Sequence, residues 1–197
     1  MKCPFVSVVV GLLVLLLASS PVSAITFVPW TAALGGNGHT YGLTDSPLNW
    51  TDAESAAVAL GGHLVSVNSA AEQAFLETTF LTDPYPNQPL WIGLTDIPNG
   101  MGSMIYDYWT TGEPVTYTNW QTGEPNNYAN FEDYVAMNWT YAIGYPTPPG
   151  TWNDTGLDGT AIGPYYGIIE LPEPSAAALV LVGVLSAAAR RRTRKGD

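Results

Sequence analysis

Lysine and arginine are missing from the central part of this chain, and their absence limits how it can fold. Between Ile25 and Leu171 there are fifteen acidic residues and no basic residue other than His39 and His63, while all six Lys and Arg residues lie near the two ends. The central carboxylates must therefore face water, accept hydrogen bonds from neutral donors or bind metal ions. The same negative charge repels nucleic acid and anionic lipid, which excludes both as partners.

The first 24 residues have the order of a secretory signal peptide. Met1 and Lys2 precede an apolar run from Val8 to Ala18, and small residues follow up to Ala24. A positive start, a short apolar stretch and a small-residue end predict export and cleavage after Ala24. An uncleaved membrane anchor is the alternative, although the run is shorter than the ~20 residues that a spanning helix needs.

Residues 172–197 form a second, three-part segment. Pro172-Glu173-Pro174 precedes the apolar run 175–189, which is followed by the basic residues Arg190, Arg191, Arg192, Arg194 and Lys195. Because basic residues are retained on the cytoplasmic side, the preceding chain is predicted to lie outside the cytoplasm. The segment resembles the bacterial PEP-CTERM sorting signal. That resemblance implies transient membrane contact, removal by an exosortase, and delivery to the cell surface or extracellular matrix; a permanent anchor is the alternative.

Residues 25–171 are predicted to form one α+β domain, with helices early and strands late. Thr51 and Ser69 each stand three positions before a glutamate, which is a capping box at a helix start, and the first helix is predicted to stop at Gly61-Gly62. The only cysteine, Cys3, lies in the signal peptide, so the domain is expected to have no disulfide and no thiolate site. The predicted strands are His63–Val67, Leu90–Leu94, Met104–Trp109, Val115–Trp120, Tyr134–Trp139 and Tyr165–Leu171.

Acidic and amide residues gather in and beside two predicted loops, Gln121–Asn130 and Gly144–Asp158. The oxygen-bearing side chains are those of Glu124, Asn126, Glu132, Asn153 and Asp154. Carboxylate and amide oxygens are the ligands that Ca²⁺ takes in sets of about six to eight. If the Glu124–Pro125 peptide bond is cis, the side-chain oxygens on either side of the proline can point the same way.

Residues 39–171 resemble a C-type lectin-like domain. Trp91-Ile92-Gly93-Leu94 resembles the central core motif of that family, and the resemblance implies its α+β fold of two helices, small antiparallel sheets and a long calcium-binding loop region. The other matching segments are Gly61–Val67, Glu72-Gln73, Phe75-Leu76, Trp109, Gly112, Thr118-Asn119-Trp120, Gly123-Glu124-Pro125-Asn126-Asn127 and Tyr166-Gly167-Ile168-Ile169-Glu170.

The resemblance also implies a site and a function. In calcium-dependent members the ion is held by a Glu-Pro-Asn motif, a Glu eight positions after the first, and an Asn-Asp pair after a Trp. The matching residues are Glu124, Asn126, Glu132, Asn153 and Asp154, which are implied to hold Ca²⁺ and to hydrogen-bond two adjacent sugar hydroxyls. Glu-Pro-Asn, rather than Gln-Pro-Asp, implies a mannose-, glucose- or fucose-type preference in a glycan or exopolysaccharide.

This sequence departs from the family pattern in three ways, one of which is a longer segment, Val135–Thr151, just before Trp152. Tyr134 and Ile169 stand where the family commonly has disulfide-bonded cysteines. An auxiliary ion site in some members uses several acids; Asp96 and Asp133 can contribute here, but Asn127 stands where an aspartate would be the stronger ligand.

Two other classes of function compete with the lectin interpretation. Catalysis is not expected, because the domain has no Lys or Arg to stabilise an anion, no cysteine nucleophile and no Ser-His motif. A matrix or adhesion protein that binds another protein and holds calcium only structurally is the stronger alternative, since a fold does not fix a function.

Overall fold

The computed structural model describes residues 25–82, 88–97, 103–139, 144, 147–159 and 163–173. The predicted signal peptide and the apolar run 175–189 lie outside these ranges, so both stay predictions. No helix within the described ranges is long and apolar enough to cross a membrane.

The α+β prediction is confirmed, with two helices and eight strands in the described part of the chain. The helices are α1 (Trp50–Ala59) and α2 (Ala70–Phe80). The strands are β1 (Val28–Pro29), β2 (Thr40–Leu43), β3 (His63–Leu64), β4 (Leu90–Thr95), β5 (Tyr108–Trp109), β6 (Tyr134–Met137), β7 (Trp152–Thr155) and β8 (Tyr166–Leu171). Two strands precede α1, so the prediction that helices come early and strands late holds only in part.

The strands connect into one sheet in the order β1-β2-β8-β4-β6-β7, with β3 added on β8 and β5 on β4. Every pair is antiparallel except β4 with β8, which run parallel. All six residues of β4 are buried, as its almost continuous apolar sequence predicts. At the far edge β6 pairs with β7, which places Asp154 opposite Val135.

The start of α1 differs from the prediction. Asn49, not Thr51, is the N-cap, because its side-chain oxygen accepts the backbone N–H of Asp52 at 2.8 Å. Thr51 lies inside the first turn and donates its hydroxyl to Asn49 at 3.0 Å. The second N-cap, Ser69, is confirmed by its 3.1 Å contact with the N–H of Glu72.

Four predicted segments also differ from the structure. Of His63–Val67, only His63–Leu64 forms a strand. Val115–Trp120 forms no strand and is tied to the sheet by a single bridge between Trp120 and Trp152. Only the last two residues of Met104–Trp109 pair as a strand. The predicted loop Gly144–Asp158 contains β7. In each case the pairing depends on residues distant in sequence, which local composition does not report.

Tryptophan side chains organise the core. Trp152 is fully buried and meets Trp109, Tyr117 and Trp120 edge-to-face, with ring centroids 5.8, 5.9 and 5.8 Å away. Its indole N–H donates to the side-chain oxygen of Gln73 on α2 at 2.9 Å. Because a buried polar group needs a partner, this bond fixes the start of β7 against α2.

Tyr134 and Ile169, which stand where the resemblance leads one to expect cysteines, are both packed against other side chains. Tyr134 lies 4.8 Å, centroid to centroid, from Trp50, which joins β6 to α1. Ile169 is fully buried in β8. Contacts between large apolar surfaces, which contribute about 25 cal/mol per Å² buried, therefore hold the positions where a covalent link is absent.

We expect Asn49→Ala to lower the free energy of unfolding by about 1 kcal/mol, the usual effect of removing an N-cap. Thr51→Ala is the matched control and should cost less, because Thr51 caps no backbone N–H. Urea unfolding of both variants measures the difference. A larger loss for Thr51→Ala would contradict the assignment of Asn49 as the cap.

Candidate functional site

The fold brings the predicted ligand residues to one end of β6 and β7. Glu124 and Asn126 lie in the loop that follows Trp120, Glu132 lies just before β6, and Asn153 and Asp154 lie on β7. The two sequence-distant parts of the site therefore meet through the β6–β7 pairing. Within the loop, the Glu124–Pro125 peptide bond is cis.

Asp154 is fully buried, and its carboxylate collects donors from three places. One oxygen, Oδ1, accepts the backbone N–H of Asn126 at 3.1 Å, and Oδ2 accepts that of Asn127 at 2.7 Å. The hydroxyl of Tyr106 lies 3.2 Å from Oδ2. A carboxylate from β7 thus holds the Glu-Pro-Asn loop in place.

Glu132 closes the same loop from its other end. Its Oε2 accepts the backbone N–H of Tyr128 at 2.6 Å, while its own N–H donates to the side-chain oxygen of Asn127 at 3.1 Å. Asn127, Ala129 and Asn130 have φ values of 45°, 58° and 61°. Such left-handed conformations are costly for non-glycine residues and cluster at binding sites.

Buried side-chain oxygens that accept no hydrogen bond show whether these residues fit a hard cation. Oε2 of Glu124 and Oδ1 of Asn153 are buried without a hydrogen-bond partner among the described residues. An unsatisfied buried oxygen is costly, and carboxylate and amide oxygens are the ligands that Ca²⁺ prefers. The residues present therefore fit a calcium ion in their chemistry.

The surroundings of Glu124 and Glu132 disfavour the charged form of both side chains. Burial raises the pKa of Glu124 to about 7, helped by a hydrogen bond with Asp154 and by the charges of Asp154 and Glu132. Burial likewise raises the pKa of Glu132 to about 7, with Asp154 adding to the shift and the N–H of Tyr128 opposing it. Crowded carboxylates of this kind gain stability from a cation.

The arrangement is not a ready-made cluster of charged ligands. Within the described ranges, no group of three or more His, Cys, Asp or Glu side chains is placed to hold a metal ion as it stands. Both oxygens of Asp154 and Oε2 of Glu132 accept backbone N–H groups, and the amide of Asn153 donates to the carbonyl of Asp154. Each carboxylate oxygen keeps a second lone pair that is able to bind a cation. The N–H groups therefore hold the carboxylates in place without using all of their acceptor capacity.

The structure brings together part of the possible second metal site, which consists of Asp96, Asn127 and Asp133. The backbone N–H of Asp96 donates to the carbonyl of Asp133 at 3.2 Å, and both side chains are buried. Oδ1 of Asp96 has no partner among the described residues. Burial raises the pKa of Asp96, with the charge of Asp133 adding to the shift and the N–H of Met104 opposing it. The side-chain oxygen of Asn127 instead accepts the N–H of Glu132.

Two residues that hold the site in place were missed by the sequence analysis. Tyr106 joins Glu132 to Asp154, and Gln73 joins α2 to the residues on either side of Thr151: it accepts from Trp152 and donates to the carbonyl of Gly150 at 2.9 Å. Neither lies near the ligand residues in sequence. Gln73 stands in a matched family segment, but nothing in that motif indicates its partner.

The sequence profile of the C-type lectin domain matches residues 46–156. Because the match covers more than half of the chain, the chain belongs to the C-type lectin domain family. This confirms the family part of the resemblance; the PEP-CTERM part stays a prediction.

Individual relatives agree with this assignment. The chain is 35% identical over 120 residues to one of the subunits of the snaclec salmorin from Gloydius brevicauda, covering 57% of this chain and 73% of that one. It is 36% identical over 87 residues to C-type lectin domain family 4 member M of Nomascus concolor, covering 39% of this chain and 21% of that protein. The match to that second, longer relative thus spans about a fifth of its length.

Solved structures show the same fold. The C-type lectin CEL-I from Cucumaria echinata is 29% identical, with a TM-score of 0.57, over 70% of this chain and 93% of that one. Herring type II antifreeze protein, at 23% identity and a TM-score of 0.53, covers 70% of this chain and 93% of its own and supports the fold alone.

Without divalent cations, we expect the melting temperature to fall as pH rises from about 5 to about 8. The folded pKa of Glu124 is raised from 4.5 to about 7. Between these values the folded state binds more protons than the unfolded state, so stability is lost as pH rises. Glu124→Gln should flatten this slope, whereas Glu113→Gln, at an exposed carboxylate, should not.

Melting curves recorded across this pH range in chelator make the comparison. Equal slopes for Glu124→Gln and the wild type would show that the pKa of Glu124 in the folded state is not raised.

Proposed function

We propose that residues 25–171 form an exported domain that binds carbohydrate through a calcium ion. One observation supports this most strongly. Glu124 and Glu132 meet Asp154 at a site where two buried oxygens lack donors and no Lys or Arg is near in sequence. CEL-I and C-type lectin domain family 4 member M are named as lectins, which supports lectin-type binding for this chain as well.

The ion would be held by the oxygens of Glu124, Asn126, Glu132, Asn153 and Asp154. With calcium bound, the site gains the positive charge that its carboxylates lack and open positions for sugar hydroxyls. The chain itself then orients those hydroxyls. Side-chain amides donate to hydroxyl oxygens and carboxylates accept hydroxyl protons, and charge-assisted bonds of this type contribute about 1.5–3 kcal/mol each.

Sugar preference would depend on the Glu-Pro-Asn order and on the walls of the site. Glu124 and Asn126 present one acceptor and one amide in the order that favours mannose-, glucose- or fucose-type hydroxyls. Tyr128 and Phe131, on the same loop, are 76% and 73% exposed. Aromatic faces this exposed can pack against the apolar face of a sugar ring.

The same two aromatic side chains support a second candidate function. Exposed aromatic residues are enriched at protein-binding surfaces, so Tyr128 and Phe131 also fit a protein partner, with calcium serving only to hold their loop. Sugar competition separates the two functions. Release by free monosaccharide favours the lectin, and binding that neither sugar nor chelator affects favours the protein-interaction function.

The predicted signals at the two ends complete the proposal. Export across the membrane and removal of residues 172–197 would place the domain at the cell surface or in the extracellular matrix, where glycans and exopolysaccharides are available. The proposal is one of binding and not of catalysis, and the C-type lectin domain family is generally non-enzymatic.

We expect Asp154→Ala to abolish calcium-dependent glycan binding. The variant loses an ion ligand and the acceptor for the N–H groups of Asn126 and Asn127, so both the ion and the loop are affected. Losing the charge-assisted bond alone should weaken binding about tenfold to a hundredfold. Asp158→Ala, at an exposed acid nearby in sequence, is the control.

The measurement is a glycan array with and without Ca²⁺ on residues 25–171, after circular dichroism has shown that both variants are folded. Wild-type melting curves in Ca²⁺ and in EDTA should also differ, by about 2.7 kcal/mol of stability at a hundredfold excess over Kd. A folded Asp154→Ala that binds the same glycans as the wild type would refute an ion-centred sugar site.

Exchanging the two motif residues together, Glu124→Gln with Asn126→Asp, should shift preference toward galactose. The exchange moves the amide and the carboxylate to opposite sides of the proline, which reverses the hydroxyl pair they can recognise. Competition with free mannose and free galactose measures the shift. An unchanged preference would mean that the walls of the site, rather than these two side chains, select the sugar.

A further inference from the structure

Tyr106 lies under the proposed ion site without being one of its ligand residues. Its side chain is buried, at 8% exposure, and its ring meets Trp120 edge-to-face with centroids 5.2 Å apart. Trp120 in turn contacts Trp152, the residue before the Asn153-Asp154 pair. Tyr106 is therefore part of the aromatic layer from which both ligand-bearing segments extend.

The hydroxyl of Tyr106 connects those two segments directly. It donates to the backbone carbonyl of Glu132 at 2.5 Å and lies 3.2 Å from Oδ2 of Asp154. Burial, followed by the charge of Asp154, raises the pKa of Tyr106, so the hydroxyl keeps its proton. A single proton serves two acceptors from different parts of the chain, and the shorter contact takes the larger share.

The contact to Asp154 acts on an oxygen that also accepts from the loop. Oδ2 also accepts the N–H of Asn127 at 2.7 Å, and Oδ1 accepts that of Asn126. The two backbone groups hold the carboxylate from the loop side, and Tyr106 meets it from the core side. Together the three contacts fix how the carboxylate can turn.

We propose that Tyr106 is a positioning residue for the ion site, whose hydroxyl fixes the Glu132 segment against β7 and sets the orientation of the Asp154 carboxylate. The proposal rests on the calcium-dependent function described above. Without the hydroxyl, the carbonyl of Glu132 loses this donor, and Asp154 loses its contact on the core side. Both ligands should then be less well ordered for the ion.

The experiment compares Tyr106→Phe with the wild type in Ca²⁺ titration calorimetry and in Tb³⁺ luminescence excited through the tryptophans. Phenylalanine keeps the ring and its packing against Trp120, so only the hydroxyl is removed. We expect the Kd for the ion to rise about tenfold, the factor for one hydrogen bond to a charged or strongly held group. Stability is measured separately by urea unfolding in EDTA.

Tyr41→Phe is the matched control. Tyr41 is fully buried and donates its hydroxyl to Oε1 of Glu72 at 2.6 Å, outside the Glu-Pro-Asn loop. This variant should lose stability in EDTA yet bind the ion with wild-type affinity. A merely structural role for Tyr106 predicts the same behaviour for Tyr106→Phe, so an unchanged Kd with reduced stability would overturn the proposal.

A second variant covers the case in which Tyr106→Phe does not fold. Replacing Tyr106 with 4-aminophenylalanine restores a hydrogen-bond donor at the same ring position, and it should restore ion affinity to within about threefold of the wild type. Failure of this variant to bind, although folded, would also overturn the proposal. If the wild type itself binds neither Ca²⁺ nor Tb³⁺, the proposed function fails, and that result is distinct from either outcome above.

Discussion

Every buried carboxylate in this domain has to be stabilised without a lysine or arginine. Six acidic side chains are buried among the described residues: Glu72, Asp96, Glu132, Asp133, Asp154 and Glu170. Around Glu72 and Glu170 the donors are the hydroxyl of Tyr41, the amide of Asn37, backbone N–H groups and His39, which lies 2.6 Å from Glu170. Around Asp154 and Glu132 they are backbone N–H groups of residues 126–128 and, for Asp154, the hydroxyl of Tyr106. The donors around Asp154 and Glu132 are neutral, and a neutral donor stabilises a buried carboxylate less than an ion pair with good geometry does. A cation bound at this site would supply the missing positive charge.

Trp152 links the aromatic core to the candidate site. Its ring is the centre of the aromatic core, and its N–H is bonded to Gln73 of α2. The second residue after it, Asp154, accepts the N–H groups of the Glu-Pro-Asn loop. A change in the core at this point would therefore move the site, and the site does not rest on a disulfide. Close packing around Trp152 fixes the position of β7, as a disulfide bond does in domains that have one.

The sequence predicts the parts of this domain whose signals are local or whose spacing matches a family. The Ser69 cap, the buried strand β4 and the closeness of Glu124, Glu132 and Asp154 are of this kind. It does not predict the parts that depend on distant partners. Thr51 forms a capping pattern with Glu54, but Asn49 begins the helix two residues earlier. Val115–Trp120 has strand-like composition, but it packs the rings of Tyr117 and Trp120 on Trp152 and pairs its backbone only at the bridge from Trp120. The residues around Tyr106 in the sequence do not indicate Glu132 or Asp154 as its partners, because the fold brings the three together from distant parts of the chain.

The pairing of β2 with β8 determines how the domain can be attached to anything else. Thr40 lies opposite Leu171, and Pro29 lies opposite Thr40 on the next strand. Neighbouring strands are about 5 Å apart, so Pro29 and Leu171 are separated by roughly two strand spacings, about 10 Å. Because β1 and β8 are both antiparallel to β2, they run in the same direction, and the chain enters beside one end of β2 and leaves beside the other. A linker for a circular permutant would therefore have to run back along β1, at about 3.3 Å per residue, as well as across the two strand spacings.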